Sequence, residues 1–171
     1  MVSRGSLYAL TGKFSDALPL LTSGLKAMRA TGATFLVPNY LIFEVMAHSE
    51  LGQFSDAWRC IDEAKNIIET TKGTIVEAEV NRVAGEIALK SPQPDAAKAE
   101  ANFERALTVA RQQQAKSFEL RAAMSLARLW RDQGKVLQAR ELLAPVYGWF
   151  TEGFDTRDLR QAKALLAELA S

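Results

Sequence analysis

The sequence predicts an all-α protein, a solenoid of about four helical hairpins closed by a C-terminal capping helix. Three observations carry this. A turn motif is written twice: residues 11–18 read TGKFSDAL and residues 51–58 read LGQFSDAW. A small–large–small pattern returns at a period of about forty residues. Strand signals are nearly absent: good helix formers dominate, and no stretch alternates convincingly with period two.

The recurring motif makes sense as the corner between two antiparallel helices. Gly12 and Gly52 can take the left-handed conformation that ends a helix. Ser15 and Ser55 are then expected to cap the next helix by accepting from its free N–H groups. Asp16 and Asp56 place negative charge in its first turn, and Phe14 and Phe54 sit before the cap and plug the corner. The residues after each corner recur as Ala17, Leu21, Gly24; Ala57, Ile61, Ala64; Ala99, Phe103, Ala106; and Ala139, Leu143, Val146. Their spacing keeps one helix face, where small residues admit a neighbouring helix and the large one fills the gap. The helices before the corners match more loosely, through Gly5 and Tyr8, Val45 and His48, Gly85 and Ala88, and Ala127 and Trp130. Two antiparallel helices per unit, wound into a right-handed superhelix, is the tetratricopeptide plan, whose unit is about 34 residues. The surplus here lengthens helices or loops by up to about two turns.

Taken in order, first helices are expected over about 2–11, 38–51, 75–90 and 117–133, and second helices over about 15–30, 55–71, 95–114 and 136–150. The hairpins span about 1–32, 37–73, 74–115 and 116–150, in one domain covering residues 1–171. Gly32, Pro38, Gly73, Pro92 and Pro94 break the linkers, with Pro38 opening a helix. Pro19 falls in a first turn, where its missing N–H matters least. Pro145 is expected to kink its helix or end it early. Asp155 is expected to cap the last helix, over 156–170, with Phe154 and Leu159 as a hydrophobic staple. Its stripe of Leu159, Ala162, Leu165, Leu166 and Leu169 opposes Arg157, Arg160, Lys163 and Glu168, as a helix covering the end of an array requires. At the other end Gly5, Tyr8 and Leu21 are expected to need cover from preceding units or another surface. The chain therefore reads as the C-terminal fragment of a longer protein.

Hydrophobic residues make up 48% and charged residues 24% of the 171, which excludes a disordered chain. A net charge of +1 gives no global reason to expect nucleic acid or an anionic membrane as partner. One cysteine, Cys60, leaves no disulfide framework and points to a reducing, cytoplasmic setting. The most apolar stretch, FLVPNYLIF at residues 35–43, is too short to span a bilayer.

The second half adds a resemblance. ELRAAMSLARLWRDQGKVLQARELLAPVYGWFTEGFDTRDLRQAKALLAEL, residues 119–169, resembles the C-terminal end of a family of large bacterial signalling proteins. These carry an N-terminal class III adenylate/guanylate cyclase or winged-helix domain, then an ATPase of the signal-transduction type, then a tetratricopeptide-like array. The resemblance is close over about residues 75–171, rests on repeat pattern alone over 1–74, and is most specific at YGWFTEGFDTRDL. It implies a helical-repeat fold and a parent architecture, and it carries no catalysis across, because the family's catalytic domains lie upstream. The residues agree. The nearest approach to a Walker A motif is TGKFS, with Leu7 where the first glycine belongs and Phe14 after Lys13.

No catalytic residue, metal or cofactor is assigned. His48, the only histidine, reads as a core or half-buried residue with a backbone partner, and Cys60 as an inert buried thiol. Glu77/Glu79 flank a helix start, and Asp155/Asp158 cap one. Trp130, Tyr147, Trp149, Phe150 and Phe154 read as packing around Pro145 and Gly148.

The remaining signal is a stripe. Arg121, Met124, Arg128 and Arg131 share one face of the fourth first helix, and Glu79, Arg82 and Glu86 share the matching face of the third. In tetratricopeptide arrays the first helices line a concave groove that takes extended peptides. Arg128 either pairs with Glu86 or stays free, and a free surplus would favour acidic peptides through arginine–carboxylate forks. The candidate groove residues are thus Arg82, Glu86, Arg121, Met124, Arg128 and Arg131. The leading functional expectation is a non-catalytic interaction scaffold for a protein or peptide segment, or for upstream domains of its own parent. The alternatives are a sensor holding a small effector among Arg121, Met124, Arg128 and Trp130, and a homodimer formed through the first hairpin at Tyr8 and Leu21.

Overall fold

The computed structural model describes residues 1–32 and 34–170. Among the described residues it has nine helices and no strand. They are α1 (Val2–Leu10), α2 (Phe14–Ala30), α3 (Val37–Glu50), α4 (Phe54–Thr71), α5 (Glu77–Lys90), α6 (Ala96–Gln112), α7 (Lys116–Asp132), α8 (Val136–Gly148) and α9 (Arg157–Glu168). None is long and apolar enough to cross a membrane.

Glycine places the corners. Gly12, Gly52 and Gly134 have φ of 78°, 74° and 78°, the left-handed conformation expected of them. Around Gly12 two bonds close the helix end: Lys13 N–H donates to Tyr8 O at 2.8 Å, and Gly12 N–H to Ala9 O at 3.2 Å. The same pair recurs at Gly52, and at Gly134, where Lys135 N–H donates to Trp130 O at 2.8 Å. A fourth copy joins α6 to α7 with Gln114 in the glycine's place, at φ 54°.

The caps differ from expectation. α2 and α4 begin at Phe14 and Phe54, and their N-cap residues, Lys13 and Gln53, make no side-chain cap bond. The carbonyls of Lys13 and Gln53 already accept from Ala17 and Ala57 N–H, so the helix starts one residue after the corner. Ser15 and Ser55 therefore lie inside the first turn and cap nothing. Pro19, by the same shift, is the sixth residue of α2 and falls in its second turn; it and Ser15, whose carbonyl loses its amide partner, are both exposed. Pro145 sits inside α8, which ends three residues later at Gly148. Thr156, not Asp155, precedes α9, and its hydroxyl turns back to donate to Gly153 O at 2.7 Å. Among the described residues the one side-chain cap is Asp95, whose carboxylate accepts from Lys98 N–H at 2.8 Å and starts α6 after the proline-bearing linker.

Each helix packs on the next in sequence, and each odd helix also touches the next odd one, from α1 through to α9. Long side chains bridge the even helices: Arg29 of α2 pairs with Glu63 of α4 at 2.7 Å, and α6 meets α4 through Asn102 and Lys65 at 3.2 Å and through Lys98 over the Trp58 ring. The odd helices thus form a continuous row with α2, α4, α6 and α8 set along one side of it.

All the recurring small–large–small positions after the corners are buried. Their partners are the small residues of the preceding helix. A Cβ built on Gly5 would lie 2.8 Å from Leu21 Cγ, and one built on Gly85 only 2.4 Å from the Phe103 ring. Two large clusters result, one centred on α3–α5 and one on α6–α9, with Trp58 packed against both. Leu159, Ala162, Leu165 and Leu169 of α9 are buried in the second cluster. At the first hairpin Gly5 and Leu21 are buried against each other, contrary to the expectation that they need outside cover. Tyr8 is half-buried, and the exposed apolar side chains there are Met1, Leu7 and Leu10.

Candidate functional site

The row of odd helices lines a groove of about 960 Å³. α3 contributes Asn39, Ile42, Phe43, Met46 and Ser49, whose spacing of three and four defines one helix face. α5 contributes Glu79, Arg82, Val83, Glu86, Ile87 and Lys90 from the equivalent face, and α7 contributes Arg121, Met124, Ser125 and Arg128. Leu10 and Phe14 close one end, and Phe150 with Arg157 and Asp158 closes the other. The α3 end is largely apolar and the α7 end is charged.

Arg82 anchors the middle. Its guanidinium donates to both Glu79 oxygens, at 2.9 and 2.8 Å, and to Glu86 Oε1 at 3.3 Å. Ser125 of α7 donates its hydroxyl to the same Glu86 oxygen at 2.7 Å. Burial works against the Arg82 charge, but the Glu79 hydrogen bonds and the Glu79 and Glu86 charges outweigh it and raise its pKa above the ordinary arginine value. Arg121 donates to Asp158 Oδ2 at 2.6 Å, tying α7 to α9. Lys90 pairs with Glu50, tying α5 to α3.

Of the six residues expected to form the site, Arg82, Glu86, Arg121, Met124 and Arg128 line this groove. Met124 does so from within the core, at 3% exposure. Arg131 lies outside the lining and pairs with Asp132 and Glu168. The expected pairing of Arg128 with Glu86 does not form, because Arg82 and Ser125 occupy that carboxylate. Among the described residues Arg128 has no hydrogen bond or ion pair, and it is half-buried. Trp130 is also outside the groove, with its indole N–H donated to Glu100 Oε1 at 2.6 Å.

Sequence reasoning missed three polar groups. Ser125 and Asp158 hold the charge ladder, and the sign alternation of Glu79, Arg121 and Asp158 at spacings near forty residues was the available signal. Ser49 gave none. Its hydroxyl is buried, the residue being 6% exposed, lines the groove and has no partner among the described residues.

Elsewhere the buried titratable groups are held by internal partners. His48 is buried, with Nδ1 2.7 Å from Gln53 Oε1, so its ring partner is a side chain and not the expected backbone group. Glu44, buried on α3, accepts from Thr22 Oγ1 at 2.7 Å and from Cys60 Sγ at 3.6 Å. Burial first, and the neighbouring Glu44 charge second, push the Cys60 thiol up to about 12. Glu77 pairs with Arg105 at 2.7 Å. A smaller hollow of about 310 Å³ lies beside Trp149 and Pro145. In it, burial raises the pKa of the Glu119 carboxyl, but hydrogen bonds from Lys116 and Arg111 win and hold it below the usual range. No group of three or more potential ligands for a metal ion occurs among the described residues.

No protein-family model and no curated protein matches the chain.

Proposed function

We propose that the chain is a tetratricopeptide-like right-handed solenoid that acts as a non-catalytic docking scaffold, holding an extended protein segment in the groove of its odd helices. The groove itself is the observation that supports this most. It runs unbroken across three helices, offers apolar surface at one end and charge at the other, and commits Glu79, Glu86 and Asp158 to internal pairs instead of presenting them for acid–base work. The recurring corners and the odd-to-odd packing support the solenoid. On this reading the chain serves as the cytoplasmic tail of a bacterial signal-transduction ATPase or cyclase, and the segment belongs to its parent's upstream domains or to a separate protein. A small-effector pocket draws less support, because Arg121 is held by Asp158 and Trp130 faces away.

The test is a peptide array probed with the folded chain and with Met46→Asp, a half-buried groove position, with circular dichroism to establish that the variant folds. Retention of defined peptides by the parent and their loss with Met46→Asp supports docking. Retention of none, or equal retention by both, overturns it.

A further inference from the structure

Resting on the docking reading, we propose that the groove selects a segment with an apolar side chain and, about five or six residues away, a carboxylate: the apolar group seated on Phe43 and Met46 of α3, the carboxylate on Arg128 of α7. Three independent features lead there.

Among the described residues Arg128 is a half-buried cation in the groove with no partner, while Arg82, Lys90 and Arg121 are each committed to a carboxylate of the chain itself and Arg157, at the α9 end, is exposed to water. A guanidinium in that position forks onto an incoming carboxylate in two parallel bonds. Glu86 is engaged by Arg82 and by the Ser125 hydroxyl and makes no bond to Arg128.

Ser49 supplies the second feature. A buried hydroxyl without a partner costs the free protein stability, and here it lines the α3 side of the groove. An extended segment crossing α3 brings backbone amides and carbonyls that satisfy it.

The third is the apolar seat beside Ser49. Phe43 and Met46 of α3, both half-buried, line the groove there, with Ile42, Val83 and Ile87 buried in its floor. α3 and α7 are separated by α5 alone. Two helix-to-helix steps of about 9 Å come to about 18 Å, which an extended chain covers in about five or six residues at roughly 3.3 Å each.

The probes are synthetic peptides of neutral polar residues apart from one Leu and one Glu, in which the separation of the two is swept. Fluorescence anisotropy reads their binding to the parent chain, Arg128→Glu and Ser49→Ala. Affinity is expected to peak at a separation of about five or six residues and to fall about tenfold when Gln replaces the Glu. Arg128→Glu is expected to lose that peak and to prefer peptides carrying Lys instead. Ser49→Ala is expected to bind more weakly while its thermal midpoint holds or rises, because the substitution removes an unsatisfied group. Leu-only peptides binding as well as Leu/Glu peptides would overturn the inference and leave docking intact. Displacement of the peptide by free glutarate at equal concentration would overturn it too. Binding of no peptide would overturn both.

Discussion

Gly85 faces the ring of Phe103, and the fit leaves no room for a methyl group. Gly85→Ala is expected to lower stability by about 1–3 kcal/mol in urea unfolding, because overpacking exceeds the roughly 1 kcal/mol that alanine offers a helix. Gln114 gives the opposite case. It holds φ 54° in a corner that three glycines fill elsewhere. Gln114→Gly is expected to raise stability by up to about 1 kcal/mol, read the same way. Cys60 sets a pH dependence. Its folded pKa stands at about 12 against an ordinary 9.0, so above pH 9 the unfolded chain sheds a proton that the folded chain keeps. Stability is therefore expected to fall as pH rises from about 9 towards 12, and Cys60→Ala to remove that part of the slope. The small–large–small residues were legible at this scale because sterics act through residue type and spacing alone. Ser49 and Glu44 were not, because only packing decides which polar side chain is shut away from water.

Among the elements, α5 and α7 are joined in the groove through Arg82, Glu86 and Ser125. Arg82→Met leaves Glu79 and Glu86 side by side without a cation. A loss of about 2–4 kcal/mol is expected by denaturant unfolding, and a smaller loss at acid pH, where the carboxylates take up protons. Asp158→Asn cuts a partly exposed pair and is expected to cost under about 1 kcal/mol. The helices and their corners were readable from the sequence to within about two residues, the usual uncertainty at helix ends. The caps were not. Ser15, Ser55 and Asp155 are good capping types, but the backbone bonds of the glycine corner and the Thr156–Gly153 turn had already fixed where each helix starts.

For the molecule as a whole, stability is a matter of neighbours. α1 touches only α2 and α3, and its buried cluster is the small one of Ala9, Ala17 and Leu21. α7 packs on α5, α6, α8 and α9. Amide exchange is expected to be fastest in α1 and slowest in α7, as hydrogen–deuterium exchange would report. The array could be read from the sequence because its period repeats. The groove's charge ladder could not be read in full, because its bonds cross between helices and the choice of Ser125 over Arg128 as the partner of Glu86 depends on distances a sequence does not state. Since α2, α4 and α6 are laced together by long side chains, Arg29 to Glu63, Lys65 to Asn102 and Lys98 to Trp58, that side of the molecule is strapped as well as the inner row. Flexing that splays the odd helices is opposed on both sides, by the inner row and by these outer straps, so the width of the channel is held close to one value.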